Sequence, residues 1–279
     1  MILMKKKTGR ILKETVFYIV ITVTALIFVA PIIWMLLTSL QPYKNLIEMR
    51  FRLFDSSLET YISLFAKQAF LRAFRASMII TLFSSFVTMI VSILTAYAAA
   101  FFNFKGKNAV VFGTLSIQMA PAIVLMIPLY ILVSKVGLAG SFTGIILVFV
   151  LFLAPMTTWM LRGFFNDIPR ALFDSALIDG CSRTQFIFRI ILPIVRPGLA
   201  ATFIFSFITA WNEVLIPLIL SNSTTSTLTM YAASFTTTYE VDYAGLAATG
   251  IFTSIPSIIL VIMFNKQLIE GLIEGAVKG

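Results

Sequence analysis

The chain has no histidine, a single cysteine and few charges, with Asp, Glu, Lys and Arg making up 12% of 279 residues. Without histidine there is no imidazole base and no imidazole metal ligand. Cys181, alone, forms no disulfide within the chain. Soluble domains carry about 25% charged residues, so this content excludes an ordinary cytosolic enzyme. The phosphate-cradling pattern G-x-x-x-x-G-K-[ST] is also missing, so nucleotide-driven work would have to come from another polypeptide. No catalytic residue, metal site or cofactor of its own is expected.

Apolar residues take the place of charge. They amount to 59% of the chain, the mean hydropathy is +0.98, and they fall in long blocks. A hydrocarbon core about 30 Å thick takes about 20 helical residues. Six segments meet that length: 16–40, 78–102, 109–133, 142–161, 198–220 and 244–264. Runs such as 145–153 are apolar without alternation, which argues for helices over a β-barrel. The expectation is an all-α membrane protein with six transmembrane helices in a single domain over 1–279.

The net charge of +9 reads as membrane orientation, not nucleic-acid binding, because the basic residues flank the apolar blocks. A cytoplasmic N-terminus places fourteen Lys/Arg on the cytoplasmic side and seven opposite. The basic start (Lys5, Lys6, Lys7, Arg10, Lys13) imitates a secretion signal, but the following run is too long and lacks an A-x-A site, so it reads as a retained helix. Six spans then return the C-terminus to the cytoplasm. The outer loop 41–77 carries six basic residues, and 65–76 reads as an amphipathic interfacial helix. Pro31, Pro121, Pro128, Pro155, Pro217 and Pro256 lie in five of the six spans. They read either as ordinary membrane-helix prolines or as bends of a bundle that rocks around a pathway.

The loop 162–197 is the most informative stretch. Asp167 is expected to cap a short helix over 169–179 that begins at Pro169. Gly180 suits a left-handed C-terminal residue. Ser182 and Gln185 have capping-box spacing for a second helix that meets Pro193 and continues into the fifth span. The first helix is apolar yet far too short to span. Its small residues Ala171, Ser175 and Ala176 allow close approach of another protein, and Asp174 and Asp179 supply charge. A docking peg and an interfacial helix resting on lipid head groups are both open readings.

The run Pro169-Arg-Ala-Leu-Phe-Asp-Ser-Ala-Leu-Ile-Asp-Gly-Cys-Ser-Arg183, followed by Ile191-Leu-Pro193, resembles the EAA motif of ATP-binding-cassette importer permeases. Asp174 and Ser175 stand where that family has Glu and its first Ala, and Cys181 where it has a later Ala. Thr38-Ser-Leu-Gln-Pro42, Thr95-Ala-Tyr-Ala98, Phe104-Lys-Gly106, Pro128-Leu-Tyr130, Gly137-Leu138, Leu161-Arg-Gly-Phe164, Ala210-Trp-Asn-Glu213 and Gly275-Ala-Val-Lys-Gly279 extend the likeness. Together they resemble the carbohydrate-uptake branch, in particular the shorter permease of a maltose- or glycerol-phosphate-type pair.

The resemblance implies a type I importer permease fold in the cytoplasmic membrane, moving a sugar or related polyol. It implies four classes of partner: a second, longer permease, an ATP-binding subunit dimer carrying ATP and Mg, an extracytoplasmic substrate-binding protein, and lipid. It implies ATPase coupling through Arg170, Ala171, Asp174, Ser175, Ala176, Asp179, Gly180 and Arg183, with Gly275 and Lys278 in a tail that reaches the ATPase. The outer loop 221–243 resembles one that enters the binding protein, through Thr224, Thr225, Ser226 and Thr227; a solvated connector is the alternative. Trp211, Asn212 and Glu213 read as substrate-pathway or permease-interface residues, since an acid within a span costs about 2.5–3.5 kcal/mol unless paired or watered. A self-contained secondary transporter or channel is the competing reading, although it would usually leave more acids or histidines in the spans.

Overall fold

The computed structural model describes residues 2–47, 56–237 and 241–267, and among these the regular structure is helical apart from one isolated antiparallel bridge, Thr236 to Val241. In chain order the helices are α1 (Ile2–Ser39), α2 (Tyr43–Ile47), α3 (Glu59–Ala66), α4 (Gln68–Phe101), α5 (Lys107–Ile117), α6 (Ala122–Lys135), α7 (Phe142–Asn166) and α8 (Arg170–Ile178). Then come α9 (Arg183–Ile194), α10 (Arg196–Asn212), α11 (Leu215–Leu220), α12 (Leu228–Ala233) and α13 (Tyr243–Met263).

By internal contact the chain forms two compact units, residues 1–67 with 232–254, and residues 68–231 with 255–279. In the first unit, the apolar window of α1 has no buried residue, so it forms no packed core there. Its end does pack: Ser39 is buried and shares a 2.7 Å hydrogen bond with Tyr61, and the Phe65 ring meets Phe252 edge-on at 5.3 Å.

In the second unit α4, α7 and α10 form the packed core. On α4, Ala73, Ser77, Thr81, Ser84, Thr88, Ser92, Ala96 and Ala99 are all buried. They recur every three or four residues and make one narrow face of small side chains, which lets neighbouring helices come close. Ser84 donates to the Thr81 carbonyl at 3.2 Å and Ser92 to the Ala154 carbonyl at 3.4 Å, Thr88 Oγ1 is buried with no partner among the described residues, and Thr157 of α7 shares a 3.0 Å contact with Ser206 of α10.

Several span boundaries differ from the sequence expectation. The second span begins at Gln68, not 78, so most of the expected interfacial helix 65–76 belongs to α4. Arg72 and Arg75 stopped the hydropathy run but are exposed, where their long stems keep the charges out of the core. The third span, 109–133, is not one helix: α5 and α6 are separate, with Pro121 at the N-terminal boundary of α6. The 14 residues of α6 make about 21 Å at 1.5 Å per residue, short of the bilayer core. The fifth span is broken after Asn212, and α11 restarts at Leu215 with Pro217 in its first turn. Among the described residues four helices cross the length threshold, and α9 with α10 would make a fifth only as a pair bent by 84°.

Candidate functional site

α8 has nine residues and two unlike faces. Phe173 and Ala176 are buried, whereas Ala171, Asp174, Ser175 and Ile178 are exposed, Ile178 by 87%. The helix begins at Pro169, whose backbone is extended (φ −57°, ψ 132°), with no side-chain cap. Asp167 was expected there, but it ends α7 instead, in a helical conformation. Ala176, expected to offer its backbone to another protein, faces the chain's own core.

The end of α8 is a Schellman closure. Cys181 N donates to Ala176 O at 2.9 Å, Gly180 N donates to Leu177 O at 3.1 Å, and Gly180 takes φ +78°. Ser182 and Gln185 form the reciprocal capping box that starts α9, with bonds of 2.9 and 3.2 Å. The second helix does not run on into α10 as expected: Phe186–Ile191 is π-helical, and the chain turns at Val195.

What seats α8 is an aromatic knot that sequence reasoning missed. The Phe173 ring lies 5.2 Å from Phe101, 6.0 Å from Phe102 and 5.0 Å from Phe186, and Tyr97 sits 5.5 Å from both Phe101 and Phe102. Such pairs contribute about 0.5–1.5 kcal/mol each beyond their area. Two exposed residues assigned to ATPase coupling also reach the end of α4. Arg170 donates to the Phe101 carbonyl at 3.3 Å, filling an orphan acceptor at the α4 C-terminus. The Arg183 guanidinium lies 4.8 Å over the Phe102 ring, a contact contributing about 0.5–1 kcal/mol where exposed.

The expected Trp211–Asn212–Glu213 cluster is split. Trp211 is 2% exposed, stacked on Phe207 at 5.8 Å and edge-on to Phe74 at 6.3 Å, so its ring belongs to the core. Asn212 is exposed, with Nδ2 donating to Ile208 O at 2.8 Å. Glu213 marks the break between α10 and α11 with extended backbone (φ −70°, ψ 131°). Its carboxylate accepts from Leu215 N at 2.7 Å, and its carbonyl accepts from Thr229 Oγ1 at 3.1 Å. The acid thus serves the freed N–H at the start of α11.

The serine- and threonine-rich loop is tied down. Thr225 is buried, donates to Gly140 O at 3.1 Å and accepts from Asn222 N at 3.0 Å. Thr227 is buried against Thr229 at 2.8 Å, and Leu228 N donates to Ser77 Oγ at 2.7 Å. Thr224 is exposed and Ser226 half-buried. Thr224 N and Oγ1 both donate to Asn222 Oδ1, at 2.9 and 2.7 Å. Gly275 and Lys278 lie outside the described residues.

A family model described as the inner-membrane component of binding-protein-dependent transport systems matches residues 89–271, which include α8, the Gly180 corner and the Glu213 break. The chain belongs to this family. It is a multi-pass inner-membrane permease component of a transport system and not itself a catalyst. It is 32% identical to the diacetylchitobiose uptake system permease protein DasC of Streptomyces coelicolor, covering 90% of this chain and 92% of that one. It is 33% identical to the arabinooligosaccharides transport system permease protein AraQ of Bacillus subtilis, covering 95% of each. It is 31% identical to the trehalose transport system permease protein SugB of Mycobacterium tuberculosis, over 89% of this chain and 92% of that one. The fold matches a chain of a bacterial ABC transporter involved in import of the acidic polysaccharide alginate, with a TM-score of 0.77, 18% identity, and coverage of 91% of this chain and 96% of that one. The permease fold is therefore type I, as the sequence resemblance implied.

Proposed function

We propose that this permease carries a carbohydrate inward as one half of a permease pair, driven by a separate ATPase dimer that docks on α8 and supplied by an extracytoplasmic binding protein. The observation that carries the ATPase part is the division of α8: one face is locked into the chain by Phe173 and Ala176, while Ala171, Asp174, Ser175 and Ile178 are left open. A solvent-facing Ile beside an acid and two small residues suits a protein groove better than water. The N- and C-termini and α8 are assigned to the cytoplasm on the lysine and arginine count. ATP and Mg belong to the partner ATPase. The tail with Gly275 and Lys278 is assigned to the same interface on the resemblance alone.

The carbohydrate assignment is supported by the relatives, whose names specify diacetylchitobiose, arabinooligosaccharides and trehalose. The exposed Asn222–Thr224 turn is proposed to meet the binding protein, with Thr225 and Thr227 holding that turn in place. At Glu213 the backbone is irregular within a span, which membranes tolerate only inside protein or along a watered cavity. We place the solute pathway beside that break, with Asn212 as the exposed polar group.

Reconstitution in proteoliposomes with the sister permease, the ATPase and the binding protein tests this reading. Uptake of the binding protein's ligand should require ATP and all four components. Uptake without ATP would overturn it.

A further inference from the structure

We infer that work delivered to α8 enters the bundle through the end of α4, by way of Phe173, Arg170 and Arg183, and not along the chain through the π segment of α9 into α10. This deepens the coupling role proposed above and rests on it. Two routes leave α8. The covalent one passes the Gly180 corner, the π-helical segment Phe186–Ile191, and the 84° bend at Val195. A π segment interrupts the regular i→i−4 hydrogen-bond ladder of a helix, and sharp kinks occur at such interruptions. Three joints in series absorb a displacement instead of passing it on.

The non-covalent route is short and stiff. Phe173 is buried between Phe101, Phe102 and Phe186; Arg170 holds the Phe101 carbonyl; Arg183 covers Phe102. Phe101 is the last residue of α4 and Phe102 the one after it; Arg183, the first residue of α9, reaches Phe102 ahead of the π segment, and Phe186, which opens that segment, packs against both Phe173 and Phe101. From there α4 runs 34 residues back to Gln68 with no proline or glycine, a rod of about 51 Å. Its far end touches what the solute pathway and outer loop are built on. Phe74 meets Trp211, two residues before Glu213; Phe70 meets Tyr231 at 5.7 Å; Ser77 Oγ accepts from Leu228 N. A push on α8 therefore reaches the Glu213 break and the 222–229 loop along one unbroken helix. In this scheme Phe173, Arg170 and Arg183 are positioning residues: they touch neither ATP nor solute.

The test measures solute transported per ATP hydrolysed in the fully assembled, reconstituted importer, alongside co-purification of the ATPase. Phe173→Ala and the double variant Arg170→Gln/Arg183→Gln should keep the ATPase bound and hydrolysing while the transport-to-ATP ratio falls about 2- to 30-fold, the range by which residues along a coupling route act. Arg183→Lys, which keeps a cation over the ring, should recover part of the ratio. Phe188→Gly, which softens the π segment at an exposed position, should leave the ratio within twofold of wild type. The opposite pattern, with Phe188→Gly uncoupled and the Phe173 and arginine variants fully coupled, overturns the route. If Phe173→Ala fails to assemble, the arginine double variant decides, both side chains being exposed. Failure of the underlying reading looks different: Asp174→Lys/Ile178→Lys on the open face of α8 would then leave ATPase co-purification unchanged.

Discussion

Replacing Gly180 separates backbone geometry from packing with unusual clarity. The residue has φ +78°, and a Cβ built on it meets no atom within 4 Å. Gly180→Ala therefore costs only the left-handed conformation, about 1–2 kcal/mol for an L residue, or a shift of about 5- to 30-fold in the equilibrium of the corner. Gly180→Asn should cost less, since Asn visits this region more readily. Gly180→Pro is different in kind. Proline is held near φ −65° and has no N–H, so both the turn and the Gly180 N bond to Leu177 O are lost. The Schellman bond from Cys181 to Ala176 then cannot form in place either, and the exposed face of α8 loses its aim. In proteoliposomes containing the complete importer, ATP-driven uptake should rank Gly, Asn, Ala and then Pro, with the proline variant inserted in the membrane but inactive. Thermal unfolding of the purified complex should show the same order. Full uptake by the proline variant would refute the reasoning, because the corner would then have no part in holding α8.

Gly198 lies where a Cβ would come within 2.4 Å of the Phe164 ring. Gly198→Ala should therefore destabilise by about 1–3 kcal/mol through overpacking, read as a lower Tm, and adding Phe164→Leu should restore most of it if the two sites are directly coupled. Thr225→Val keeps the shape but strips the bonds to Gly140 and Asn222. It should cost about 1–3 kcal/mol for groups left unsatisfied, whereas Thr224→Ala at the exposed turn should change Tm little; equal losses would contradict the burial difference. Glu213→Gln keeps an acceptor for Leu215 N and should fold normally, while Glu213→Ala should lose about 0.5–2 kcal/mol as a missing helix cap does. If the Gln variant folds but no longer transports, the carboxylate acts on the solute as well as on the backbone.

The legible parts of the fold are those decided by neighbours in sequence. Ser182 with Gln185, and Gly180 after an apolar run, are short-range patterns whose hydrogen bonds close within a few residues. The seating of α8 was not legible. Phe is the commonest aromatic, with 27 copies, and nothing in the spacing of Phe173 names Phe101 as its partner. Nor did the sequence show that Arg170 and Arg183, both exposed, also reach a carbonyl and a ring at the end of α4. Hydropathy likewise measures transfer into lipid and is insensitive to where a helix breaks. The apolar stretch around Pro121 read as one span, although the proline was the available warning. The Thr-rich loop read as a binding-protein contact or a solvated connector, and neither reading showed that Thr225 is buried on a bond to distant Gly140 or that Thr227 is buried against Thr229.

Glu213 is an anomaly visible in the sequence whose partners within the chain were not. A lone acid in a span demands an explanation on energetic grounds, and the sequence argument directed it toward solute or sister subunit. In the fold its carboxylate is engaged by Leu215 N, and its carbonyl by Thr229. The broken helix and the acid therefore explain each other: the break frees an N–H that lipid cannot satisfy, and the acid supplies the acceptor. Substituting the acid alone should then move α11 and, through Thr229, the outer loop together. Paired spin labels at exposed Leu218 on α11 and Leu151 on α7 should report that shift in Glu213→Ala and not in Glu213→Gln. An unchanged distance distribution in the alanine variant would mean that the break stands without its acid.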